Sequence, residues 1–181
     1  MEFAKTSIPG VMQIRQTPHR DERGHFVRTY CHKSFAEAGL EQPTAQMALS
    51  HNSKKGTLRG LHFIPVAEGE CKLVRCVRGA IFDVAVDLRP TSPTFHQWTS
   101  VELSAENMDA FYIPSGVAHG FVTLTDDADI LYQFSEPHRA GLEKGVAWND
   151  PDIAVAWPIS PTVMSSRDEA LPLLSQIASL T

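Results

Sequence analysis

Residues 57–89 read TLRGLHFIPVAEGECKLVRCVRGAIFDVAVDLR, and within them two apolar runs of strand length, 72–77 and 81–88, flank Arg78-Gly79. Val74, Cys76, Ile81, Val84 and Val86 are the β-branched and small apolar residues that suit a pleated surface, and the Arg-Gly pair marks the turn between the runs. The same stretch carries His62, Lys72, Asp83 and Asp87. Charged groups inside a sheet protein are costly unless they are paired or used, so ionisable residues on adjacent strands predict a lined cavity rather than a dry core. A hydrogen-bonded core histidine and a surface lysine would account for His62 and Lys72 equally well at this level.

Outward from that stretch, further β-patterned runs fall at 11–14, 25–30, 46–50, 97–103, 110–113, 120–124 and 130–134. Many short strands separated by turn signals predict an all-β sandwich or barrel. Helix is expected only at 33–38, ended by Gly39, and at 172–178, where apolar residues recur at near-helical spacing. Residues 149–166 are punctuated by proline and read as an extended tail laid over the domain. With no repeat, low-complexity segment or linker, one domain over residues 1–181 is expected. A Pro114-Ser115-Gly116 turn precedes His119 at the opening of a strand, as in jelly-roll barrels of the cupin type. The fold class is therefore all-β, a cupin-type jelly-roll barrel with a few short helices, mostly near the C-terminus. Metal-binding cupins also need an H-x-H pair followed by Glu; His62 is followed by Phe63 and Ile64, so no metal site is expected.

The formal charge of −5, with both signs interspersed, makes nucleic acid and anionic membrane unsuitable partners. Three cysteines, Cys31, Cys71 and Cys76, lack zinc-site spacing and read as reduced thiols of a cytoplasmic protein. No run approaches the ~20 apolar residues of a membrane span, and the N-terminus has no long apolar leader.

With no nucleophile motif and no glycine-rich phosphate loop, the chemistry left to a histidine, a lysine and a tyrosine in one pocket is proton transfer. Histidine acts as a base near neutrality and tyrosine as the matching acid, while Lys72 would stabilise a developing oxyanion. That set suits a carbon acid beside a carbonyl. Arg23 and Arg59, each followed by glycine, are candidates for clamping a diphosphate, against the alternative that each is a solvated surface charge.

Nine segments in order, DERGHF (21–26), GTLRGLHF (56–63), KLVRCVRGAIFDVAVDLRPTSPTF (72–95), LSAEN (103–107), YIPSGVAHGF (112–121), LYQ (131–133), WNDP (148–151), AWP (156–158) and SSRDEALP (165–172), resemble the dTDP-4-dehydrorhamnose 3,5-epimerase family. The resemblance runs nearly end to end. It implies a cofactor-independent isomerase that inverts carbons three and five of a nucleotide-linked 4-keto-6-deoxyhexose. By that resemblance His62 is the base, Asp168 orients it, Lys72 holds the enolate oxygen and Tyr132 is the acid on the opposite face. Asp83 is the alternative partner for His62. Arg23, Phe26, Gln46, Ser50, Arg59, His119, His138, Glu143 and Arg167 fall at substrate-binding positions, and a homodimer taking a nucleotide-diphosphate sugar is implied.

The sequence departs from the family pattern in the residues that face the nucleobase. Pro137-His138 stands where an aromatic pair is common, Gln46-Met47-Ala48-Leu49-Ser50 has Ala48 where an amide is common, and Arg28 replaces a carboxylate. Stacking on an aromatic is worth on the order of 1 kcal/mol, so these changes bear on nucleotide selection more than on chemistry. A single-site 3- or 5-epimerase on another nucleotide sugar and a non-catalytic sugar-binding barrel are the competing readings.

Overall fold

The structure, a computed structural model, describes residues 1–177 and 180. The N-terminal part forms β1 (Glu2–Lys5), β2 (Met12–Arg15), the hairpin β3 (His19–Asp21) and β4 (Gly24–Phe26), and helix α1 (His32–Glu37). The body follows as β5 (Gln46–Asn52), β6 (Leu58–Phe63), β7 (Lys72–Arg78), β8 (Ala80–Asp87), β9 (Trp98–Ser104), β10 (Ala110–Ile113), β11 (Val117–Thr123), β12 (Ala128–Phe134) and β13 (Lys144–Gly145). Helix α2 (Ser166–Glu169) sits near the C-terminus.

Two antiparallel sheets result, one ordered β1-β2-β10-β7-β12-β5 and the other β13-β6-β11-β8-β9, with β3-β4 apart. Strand alternation explains what lies between them. On β8, Ile81 and Ala85 point into the space shared by the sheets, where they meet Val74 and Cys76 of β7, Ile130 of β12 and Phe121 of β11. Val84 and Val86 point the other way, onto Ile153, Val155 and Trp157 of the extended tail. Side chains two apart share a face, so β8 serves two apolar layers at once, and each large side chain fully buried in them is worth about 1.5–3 kcal/mol. A third layer, with Phe35 of α1 against Leu73 and Tyr112, covers the outside of the first sheet.

Asp87, fully buried at the end of β8, anchors the loop after it. Its carboxylate accepts hydrogen bonds from Arg89 Nε at 2.8 Å, Ser92 Oγ at 2.5 Å and Thr94 Oγ1 at 2.6 Å. Burial pushes its pKa up, but these donors outweigh burial and hold it at about 2.

Several expectations need correction. The run 25–30 is strand only through Phe26, because the backbone beyond it leaves the hairpin, and Arg75 Nη2 donates to the Thr29 carbonyl oxygen at 2.8 Å. The strand expected at 120–124 begins at Val117 and ends at Thr123. Strands β1, β3, β6 and β13 fall outside the runs read from the sequence. Of the helix expected at 172–178, a single 3-10 turn forms at Leu174–Gln176, and Ala178 lies outside the described residues. The α-helical turn near the C-terminus is α2, ahead of that range, capped by Ser165, whose Oγ accepts the Asp168 N–H at 3.1 Å.

Candidate active site

The inward positions at one end of the two sheets carry the polar residues. On β7 and β12, Lys72 and Phe134 lie opposite each other, as do Val74 and Tyr132, so Lys72, Tyr132 and Phe134 continue the inward rows begun by Cys76 and Ile130. On the facing sheet, His62 of β6 lies opposite His119 of β11. These side chains line a cavity of about 330 Å³ together with Ser50, Arg59, Glu143, Arg167 and Asp168.

Arg59 and His62 are three residues apart, a spacing that regular alternation would put on opposite faces. A bulge resolves this: between them β6 spends three steps where β11 spends two, Phe121 lying opposite Arg59 and His119 opposite His62. A bulge of this kind turns a side chain to the other face. Glycine makes it possible. A Cβ on Gly60, at φ +120°, would lie 2.6 Å from the Gly120 Cα and 2.7 Å from the His119 carbonyl oxygen.

The His62 Nε2–H donates to Asp168 Oδ1 at 2.7 Å, and Asp168 Oδ2 accepts the Gly60 N–H at 3.3 Å. Nδ1 is left as the ring's acceptor, 4.0 Å from Glu143 Oε1. Burial alone would raise the Glu143 pKa, but the charge His62 carries when it is protonated, the charge of Lys72 and the hydrogen bond from Arg167, 2.7 Å away, pull it below the usual carboxylate value. Lys72 is buried, with Nζ 3.6 Å from Glu70 and over the Phe134 ring at 5.9 Å. Tyr132 stacks on Phe134 at 5.8 Å and meets the edge of His119 at 5.8 Å. Burial, reinforced by the Asp83 carboxylate, pushes the phenol's pKa above its ordinary value of 10, so it stays protonated at neutral pH.

The expected residues divide by place. His62, Lys72, Tyr132, Asp168, Ser50, Arg59, His119, Glu143 and Arg167 line the cavity. Gln46 and His138 line an adjoining recess that shares Lys72, Phe134 and Glu143 with it, and Gln46 Oε1 accepts the His138 N–H at 2.7 Å. Asp83, the alternative partner for His62, lies instead against His119, at 2.6 Å, because it sits on β8, the neighbour of β11 rather than β6. Arg23 and Phe26 do not reach the cavity within the chain: Phe26 is 72% exposed on the hairpin and Arg23 pairs with Asp21. Sequence reasoning missed Phe134, whose position two after Tyr132 is the signal that places it on the same face. It also missed Asn52, which carries no local signal and accepts Arg59 Nε–H at 2.8 Å. Among the described residues no group of three or more His, Cys, Asp or Glu side chains is placed to hold a metal ion.

Residues 5–176 match the family model for dTDP-4-dehydrorhamnose 3,5-epimerase. The chain belongs to that family. A dTDP-4-dehydrorhamnose 3,5-epimerase of Salmonella typhimurium is 44% identical, over 97% of each chain. Among solved structures, a 4-keto-6-deoxy sugar epimerase of Streptomyces spheroides superposes with a TM-score of 0.92 at 39% identity, covering 97% of this chain and 88% of the other. The dTDP-6-deoxy-D-glucose-3,5-epimerase of Legionella pneumophila, solved with dTDP-4-keto-L-rhamnose, has a TM-score of 0.90 at 38% identity, covering 97% and 94%. As a member of the dTDP-4-dehydrorhamnose 3,5-epimerase family, the chain is an isomerase with the cupin-type jelly roll of its relatives.

Proposed function

We propose that this epimerase inverts carbons three and five of a dTDP-linked 4-keto-6-deoxyhexose, with His62 as base, Lys72 as enolate holder and Tyr132 as acid. The observation that carries the reading is that His62 and Tyr132 enter one cavity from opposite sheets. His62 Nδ1 takes the proton beside the ketone, and the C–H electrons move into the enolate. Lys72 Nζ balances the charge that appears on the oxygen. Tyr132 then gives its O–H proton to the carbon from the other side, and the enolate returns to the ketone. Reprotonation by His62 on its own face would restore the starting configuration, so inversion needs the second group. One proton leaves and one arrives at each carbon, with no net transfer of electrons, and the chemistry calls for no redox cofactor.

Asp168 supports the base by holding Nε2–H, which fixes the tautomer and stabilises the imidazolium. Arg59, held by Asn52, and Arg167, held by Glu143, supply cations for the diphosphate. Ser50 and His119 line the sugar end, and Gln46 and His138 the recess beside it. A homodimer would give Arg23 and Phe26 a role: Phe26, exposed on the hairpin, and Met47 and Leu49, each 64% exposed on the edge strand β5, are apolar side chains that a second copy would cover, and through such an interface Arg23 and Phe26 would reach the partner's cavity. No helix among the described residues is long and apolar enough to cross a membrane, and three free thiols suit a reducing cytoplasm.

Incubating the purified protein with dTDP-4-keto-6-deoxyglucose and following the sugar by proton NMR tests the proposal. The expected product is dTDP-4-keto-L-rhamnose; recovery of unchanged sugar would remove the assignment.

A further inference from the structure

Asp83 and His119 form a second carboxylate–imidazole pair, which the reaction described above leaves without a chemical task. Asp83 is fully buried and His119 nearly so. They lie on neighbouring strands, Asp83 opposite Phe121 and His119 opposite Ala85, so both point inward. Asp83 Oδ1 accepts His119 Nε2–H at 2.6 Å, while Oδ2 has no hydrogen-bond partner among the described residues. Burying a carboxylate with one oxygen unsatisfied is expensive, and an apolar pair of similar volume would hold two strands together at least as well. The location gives the pair a different purpose. The His119 ring meets the Tyr132 ring edge-on at 5.8 Å and 77°, and the same histidine is the cross-strand neighbour of His62.

We propose that Asp83 is a positioning residue for Tyr132, acting through His119: the carboxylate locks the imidazole, and the locked imidazole holds the phenol ring aimed at the face of the sugar opposite His62. The inference rests on the roles given above to His62 and Tyr132. Proton removal depends on His62 and Asp168, which Asp83 does not touch. Proton delivery depends on the aim of a side chain whose ring is held between Phe134 and His119. Two inversions on one ring require that aim to serve two carbons, so a loosened phenol fails in delivery before removal is affected. Asp83 therefore separates the two half-reactions.

The test compares wild-type, Asp83→Asn, Tyr132→Phe and the double variant in deuterium oxide with dTDP-4-keto-6-deoxyglucose. NMR reads two rates in each: deuterium entry beside the ketone, and formation of inverted sugar. For Asp83→Asn the expected result is inversion slowed by about 30-fold or more with deuterium entry within about 3-fold of wild-type. Adding Asp83→Asn to Tyr132→Phe should then cost nothing further, since residues acting as one unit are not additive. A purely structural aspartate would lower both rates together, or lower them again in the double variant, and either result overturns the proposal, as does unchanged inversion. Should the amide variant not fold, Asp83→Thr, of similar volume and without the unpaired second oxygen, carries the same expectations. A wild-type protein that neither exchanges nor inverts would instead overturn the functional reading on which the inference rests.

Discussion

Asp168 and His62 are 106 positions apart in the chain, yet the carboxylate Oδ1 lies 2.7 Å from the imidazole Nε2. The cap of α2 brings them together: Ser165 fixes the first turn of a four-residue helix, and the Gly60 N–H takes the other carboxylate oxygen. Replacing Asp168 by Asn keeps the shape and offers an amide that can no longer hold Nε2–H as a charged acceptor. Steady-state turnover is expected to fall about 100-fold, within the ~100- to 10,000-fold range of a general base, with the thermal midpoint little changed. Turnover within about 3-fold of wild-type would separate Asp168 from the base.

Gly60 is required by the bulge that turns Arg59 and His62 to one face. Gly60→Ala would place a methyl group 2.6 Å from Gly120 Cα, in a backbone conformation at φ +120° that alanine avoids. A loss of about 3 kcal/mol or more is expected, read by urea denaturation, together with loss of turnover in whatever fraction stays folded. A variant with wild-type stability would mean that the bulge is not under this constraint.

The three tyrosines, Tyr30, Tyr112 and Tyr132, all have pKa values raised above 10, burial being the first cause in each. A raised folded-state value means that the stability from these groups is fully present below pH 10 and is lost as pH climbs beyond it. With Tyr30 replaced by phenylalanine, the phenolate absorbance of the native protein should therefore stay flat through pH 10 and rise together with the loss of circular dichroism, since the large shifts are those of Tyr112 and Tyr132. Phenolate appearing in the folded protein below pH 10 would contradict the burial argument.

Asp87 gives the opposite sign. Its folded-state value of about 2 lies below the unfolded 3.8, so its contribution is present above pH 3.8 and is lost as pH falls toward 2. The gap between those values corresponds to about 2 kcal/mol. Asp87→Asn should lower stability at pH 7 by at least that amount, since Arg89, Ser92 and Thr94 lose a charged acceptor. The difference between variant and wild-type should narrow in denaturation series run from pH 4 downward; a constant difference would place the effect elsewhere.

Much of the barrel was readable because β7 and β8 are runs of strand length, rich in β-branched and small apolar residues, that flank the Arg78-Gly79 turn, and both that composition and the period-two spacing within a strand are local information. The inward aim of Lys72 and Tyr132 follows from that same spacing. Arg59 was harder, since its face depends on a bulge formed with β11, which only pairing between distant strands creates. The choice between Asp83 and Asp168 beside His62 depended on strand order: β11 lies between β6 and β8, and no local pattern in 57–89 encodes that. Arg23 and Phe26 carry a motif, but a motif does not say whether a hairpin folds inward or stands away from its own chain. Helix α2 is short enough that its cap, rather than any periodicity, defines it.

The central claim is that one base and one acid act on opposite faces of the same sugar ring. The most direct measurement is the position and stereochemistry of deuterium in the product when wild-type protein converts dTDP-4-keto-6-deoxyglucose in deuterium oxide. The account predicts one deuterium at carbon three and one at carbon five, each on the face opposite the proton removed. Inverted product that retains the original hydrogen at either carbon would contradict it.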